Sequence, residues 1–67
     1  MYRAGDKLNN GATVMASKIK NDYVVVLAEW NDAYCRFVTW AVDERGDAYW
    51  GHYFSDQEKA MKDFLSR

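Results

Sequence analysis

The sequence predicts an α+β domain: a four-stranded antiparallel meander, open or curled into a half-barrel, followed by one C-terminal helix. Three observations predict it. Four runs rich in β-branched and aromatic residues follow one another, each bounded by turn residues. The separators are short, so successive strands are antiparallel neighbours. A capped amphipathic segment then closes the chain. At 67 residues there is room for one domain only. It divides into a loosely held arm over 1–11, a sheet over 12–54 and a helix over 55–67.

The strand runs are Ala12–Lys20, Tyr23–Trp30, Cys35–Val42 and Ala48–Phe54. Asn10-Gly11 marks a turn before the first, because both residues tolerate positive φ. Asn21-Asp22 fits a two-residue hairpin loop, which sets Lys20 opposite Tyr23. Asn31-Asp32-Ala33-Tyr34 reads as a four-residue loop, which sets Glu29 opposite Arg36 as a cross-strand ion pair. Glu44-Arg45-Gly46 reads as a three-residue loop with glycine in the left-handed position, which sets Trp40 opposite Trp50. Ser55-Asp56-Gln57-Glu58 reads as a capping box. Ala60, Met61, Phe64 and Leu65 then make one apolar stripe, so the helix spans Asp56 to Ser66. A helix that short is marginal alone and must dock on the sheet.

These registers sort the strands into two faces. One carries Val24, Val26, Ala28, Phe37, Thr39, Ala41, Gly51 and Tyr53 and no charge, so it is the expected seat of the helix. The other carries Tyr23, Val25, Leu27, Val38, Trp40, Trp50 and His52, with Glu29 and Arg36 toward its rim. One short helix cannot cover both. Aromatics make up 16% of the chain, a heavy load for a domain that buries only about 60% of its unfolded surface. Three occupants account for the second face: the sheet curling on itself with help from Tyr2 and Leu8, a homodimer, or a foreign partner.

Composition excludes several chemistries. Net charge is −1, which gives no basic surplus for non-specific nucleic-acid binding. One Cys and one His rule out an internal disulfide and a Cys/His zinc cage. No run reaches the roughly 18 apolar residues of a membrane span, and the first ten residues hold no signal-peptide core. Cys35 and His52 are the one thiol–base pair, and they project from opposite faces. Asp22, Asp43, Glu44 and Asp47 gather at one end of the sheet, where solvated turn acids account for them. No metal site, cofactor loop or catalytic triad emerges, so the expectation is a protein that is not an enzyme and uses no cofactor.

Phe37-Val38-Thr39-Trp40, Tyr49-Trp50-Gly51-His52-Tyr53-Phe54 and the closing Phe64-Leu65-Ser66-Arg67 resemble small uncharacterised proteins of bacteria, often borne on phages and other mobile elements. Gly5-Asp6-Lys7-Leu8 and Asn10-Gly11-Ala12-Thr13-Val14 are similar too. The resemblance implies a bacterial, cytoplasmic setting and assigns no activity. Small proteins of such elements often bind and block a host component, including defence systems. The expected function is a non-catalytic protein-binding module. Its binding residues are Tyr23, Arg36, Trp40, Trp50 and His52, with Trp and Tyr as anchors and Arg36 and His52 at the rim. Single-stranded nucleic acid stacking on the same aromatic face is the alternative.

Overall fold

The structure is a computed structural model that describes residues 2–31 and 34–67. The chain forms β1 (Thr13–Lys20), β2 (Tyr23–Glu29), β3 (Phe37–Val42), β4 (Ala48–Phe54) and α1 (Gln57–Ser66). The strands lie in that order in one antiparallel sheet. It is the expected α+β meander with a C-terminal helix, and its sheet is open rather than curled into a half-barrel.

The two tight turns form as their residues dictate. Lys20 pairs with Tyr23, and Asn21 takes the left-handed backbone (φ 55°) that its short amide tolerates. Gly46 sits at φ 86°, and its N–H donates to the Asp43 carbonyl at 3.0 Å, closing the third turn. The helix cap differs by one residue. Asp56, not Ser55, is the N-cap, and its carboxylate accepts the Glu58 N–H at 3.0 Å.

The second connection overturns the face assignment. Glu29 pairs with Phe37 rather than Arg36, and the Trp30 N–H donates to the Arg36 carbonyl at 2.6 Å. Five residues, 31–35, therefore lie inside the Trp30–Arg36 pair, where four, 31–34, were expected inside a Trp30–Cys35 pair; Asp32 and Ala33 of that loop lie outside the described residues. One extra residue turns every β3 side chain over. Val38, Trp40 and Val42 now join Val26 and Ala28, while Phe37 sits with Val25 and Leu27. The Glu29–Arg36 pair still forms, at 2.8 Å, because two long side chains can meet diagonally.

The helix accordingly docks on the expected side of β3, over Phe37 and Thr39, but on the side of β2 opposite to the one expected. Ala60 and Phe64 bury against Val25 and Leu27, with Met61, Ala16, Phe37 and Phe54 around them. Leu65, assigned to the stripe, faces water (66% exposed). Lys18 of β1 lies along this face with Nζ 5.2 Å from the Phe64 ring centre. It donates to the Leu65 carbonyl at 3.2 Å, placing a cation at the negative end of α1.

The other face is covered by the arm, which is pinned rather than loose. Gly5 N–H donates to the Val14 carbonyl, Val14 N–H to Asp6 and Leu8 N–H to Ala12, all at 2.8–2.9 Å. Ser17 Oγ donates to the Tyr2 carbonyl at 2.6 Å. Asn9 reaches across to donate to the Gly46 carbonyl at 3.1 Å. Leu8 and Ala12 are buried with Val14, Val26, Val38 and Trp40, and Tyr2 and Trp30 pack beside them. The sheet thus has a core on each side.

Candidate functional site

The five residues expected to share one binding face are divided by this fold. Trp40 is core. It is 4% exposed, edge-on to Trp30 at 5.3 Å and to Tyr53 at 6.2 Å under the arm. It lies in the arm-side core and not on the exposed face expected for it, because the register turns β3 over relative to β2 and the arm covers that side. Arg36 lies at the far end of β2 from Tyr23, about 20 Å away at the usual strand rise. It is committed to Glu29 and passes over the Phe37 ring at 5.9 Å. With Lys7, Glu29 and Trp30 it lines an open hollow of about 450 Å³, in which Lys7 is itself spent on Thr13 Oγ1 at 2.6 Å.

Tyr23, Trp50 and His52 remain together on the helix side. Tyr23 packs against the helix-side core. Trp50 is 63% exposed and stands edge-on to Tyr23 at 6.0 Å and to Tyr49 at 4.8 Å. What places it there is a β-bulge. Ala41 pairs with Tyr49 but Thr39 pairs with His52, so one extra residue is accommodated in β4, where Trp50 takes φ 57°. That conformation costs a tryptophan roughly 1–2 kcal/mol. Gly51 follows because a Cβ there would stand 2.7 Å from Trp40 Nε1 and 3.0 Å from the Tyr53 ring.

A bulge interrupts ladder hydrogen bonds, and here Arg67 supplies donors beside it. Its Nη2 donates to the Trp50 carbonyl at 2.8 Å. Its Nη1 donates to the Thr39 carbonyl and to Thr39 Oγ1, each at 3.0 Å. The Thr39 hydroxyl in turn donates to Asp63 Oδ2 at 2.5 Å. His52 Nδ1 donates to the same carboxylate at 2.9 Å; an ionised carboxylate only accepts, so the Nδ1 position carries the proton. Thr39 is fully buried. Asp63, Thr39 and Arg67 escaped the reading of the sequence. The signal available was Thr39, the lone polar residue in the Phe37–Val42 strand, which needs a partner once buried.

Desolvation by burial opposes the charge on Asp63. The hydrogen bonds from Thr39 and His52 and the positive charges of His52 and Arg67 outweigh it, so its pKa falls below the ordinary 3.8. A carboxylate whose folded pKa is depressed contributes stability that is present above its unfolded pKa and lost as pH falls through the folded one. Acidification from about pH 5 to pH 2 should therefore weaken this clasp between α1 and the sheet. In urea unfolding at a series of pH values, Asp63→Asn should be less stable than the wild type at neutral pH and show a shallower acid slope. An unchanged slope would mean that Asp63 is not a source of the acid sensitivity.

The cluster is chemically a clasp: its hydrogen bonds hold the helix end to β3 and β4. Among the described residues no group of three or more His, Cys, Asp or Glu is arranged to hold a metal ion. Nor, among the described residues, is any helix long and apolar enough to cross a membrane. No family model, curated protein or solved structure matches the chain.

Proposed function

We propose that this chain is a non-catalytic protein-binding module whose recognition surface is Trp50, flanked by Tyr23 and Tyr49, with His52 at its rim. In this reading it is an accessory protein of a bacterial phage or mobile element, acting in the cytoplasm by binding and blocking a host component such as part of a defence system. The observation that carries the binding role is the geometry of Trp50. Its ring is exposed, yet its backbone is held in a costly left-handed bulge whose carbonyl Arg67 occupies. Strain at an exposed aromatic supports a functional use, because nothing in the monomer's core needs that ring. A tryptophan already packed edge-on to two tyrosines also loses few rotors on docking.

Protein is favoured over single-stranded nucleic acid by charge. Asp22, Asp43 and Glu44 line a hollow with Tyr23, and they would repel a phosphate backbone lying across the aromatic rings. The test begins with affinity capture from bacterial lysate, followed by titration of the captured protein. Trp50→Ala should weaken that complex by roughly 30-fold, the 2 kcal/mol of a hot-spot residue, with little change in the melting transition. Equal affinity of the variant would sink the proposal. Retention of single-stranded DNA or RNA that collapses with added salt, in place of a protein, would favour the alternative.

A further inference from the structure

We propose that the outer edge of β4, from Gly51 to Phe54, pairs antiparallel with the same edge of a second copy of this chain. The two edges of the sheet are built differently. At the β1 edge, arm residues bond to Val14 and to Ala12 just before the strand, and the remainder carries Lys18 and Lys20, the charged side chains that commonly guard an edge. On β4, among the described residues, no strand pairs with the outer side. Its sequence, Ala48 to Phe54, holds no Lys, Arg, Asp or Glu. The bulge at Trp50 bends the first half away, so the open stretch begins at Gly51.

The occupant follows from that edge. An unpaired strand is its own complement when read in reverse: each outward N–H meets an outward carbonyl about a two-fold axis perpendicular to the sheet. A foreign strand would have to bring an unguarded edge of its own, whereas a second copy always has one. Self-pairing of β4 sets no like ionised side chains of the strand against each other, while pairing of the free half of β1 would face lysine with lysine. Tyr53, 55% exposed on the arm side, would gain a neighbour across the new junction. The same axis leaves both helices on one side and both arms on the other. Four residues per copy fall short of the roughly 800 Å² per partner of a stable complex, so the pairing is weak and concentration-dependent.

This inference does not rest on the Trp50 surface, and its failure leaves the capture experiment standing. Sedimentation equilibrium of the full chain should show the mass rising from 7.8 kDa toward twice that value over roughly 10 µM to 1 mM. Over the same range, amide exchange of the wild type should slow within Gly51–Phe54. Tyr53→Lys, which sets like charges beside the axis, should raise the concentration needed by at least about tenfold while leaving the far-UV circular dichroism unchanged. A single 7.8 kDa species at every concentration overturns the proposal. So does a dimer whose β4 amides gain no protection, because that dimer joins through another surface. The wild-type exchange measurement decides the matter even if the lysine variant fails to fold.

Discussion

Trp40→Ala is expected to unfold most of the protein at room temperature. The ring is 4% exposed and touches Trp30 and Tyr53 edge-on, and its indole lies over the Cα of Gly51. Truncating a buried tryptophan costs about 3–5 kcal/mol through lost burial and the cavity left behind. A 67-residue domain has little to spare against such a loss. The arm cannot collapse freely into the space, because it is tied at Tyr2, Leu8 and Asn9 to points along and across the sheet. Urea titration followed by circular dichroism should show the folded baseline lost or sharply shortened. A midpoint within the error of the wild type would mean that Trp40 is not part of the core.

Phe64→Ala should act with similar force from the opposite side. Phe64 is 5% exposed and with Ala60 forms the buried stripe of α1. The helix has ten residues, too few to persist without its seat. Removing the ring forfeits about 3–5 kcal/mol and also the surface along which Lys18 reaches the helix end. The expected signature differs from that of Trp40→Ala: helical ellipticity should fall first, with the strand signal retained longer. Simultaneous and equal loss of both signals would show that the helix and sheet unfold as one unit.

The fold class was legible in the sequence, and the faces of the sheet were not. Turns one and three could be read because their geometry is local: an asparagine at φ 55° and a glycine at φ 86° fix the pairing beside them. The connection between β2 and β3 had no such anchor. Val24 to Ala28 is apolar at every position, and β3 has one polar residue in six. Hydrophobic alternation therefore fits either register equally well. The Glu29–Arg36 pair was a poor guide, because an exposed ion pair worth under about 1 kcal/mol follows a register rather than setting it. The bulge did leave a trace in Gly51, since glycine inside a strand often marks one. Without the bulge, the clasp of Thr39, His52, Asp63 and Arg67 could not be foreseen, because its members come from three elements whose facing depends on that one extra residue.

The two covers of the sheet have unequal standing from the middle strands. Arm and helix are both short and both lie toward the chain ends, whereas Val25 to Ala28 of β2 are buried on alternate sides beneath them. Lifting either cover bares one apolar face and leaves the ladder of β2 and β3 intact. Each cover is therefore expected to open locally, at less cost than global unfolding. Asp63 and Arg67 weight one of these openings, since their bonds hold the helix end. Ser17 and Asn9 weight the other, through the arm. Each opened form would display a fresh β surface of different composition, valine and tryptophan on the arm side and valine, leucine and phenylalanine on the helix side. Amide exchange faster in each cover than in the β2–β3 ladder would reveal, in a chain this small, two surfaces that its resting form keeps hidden.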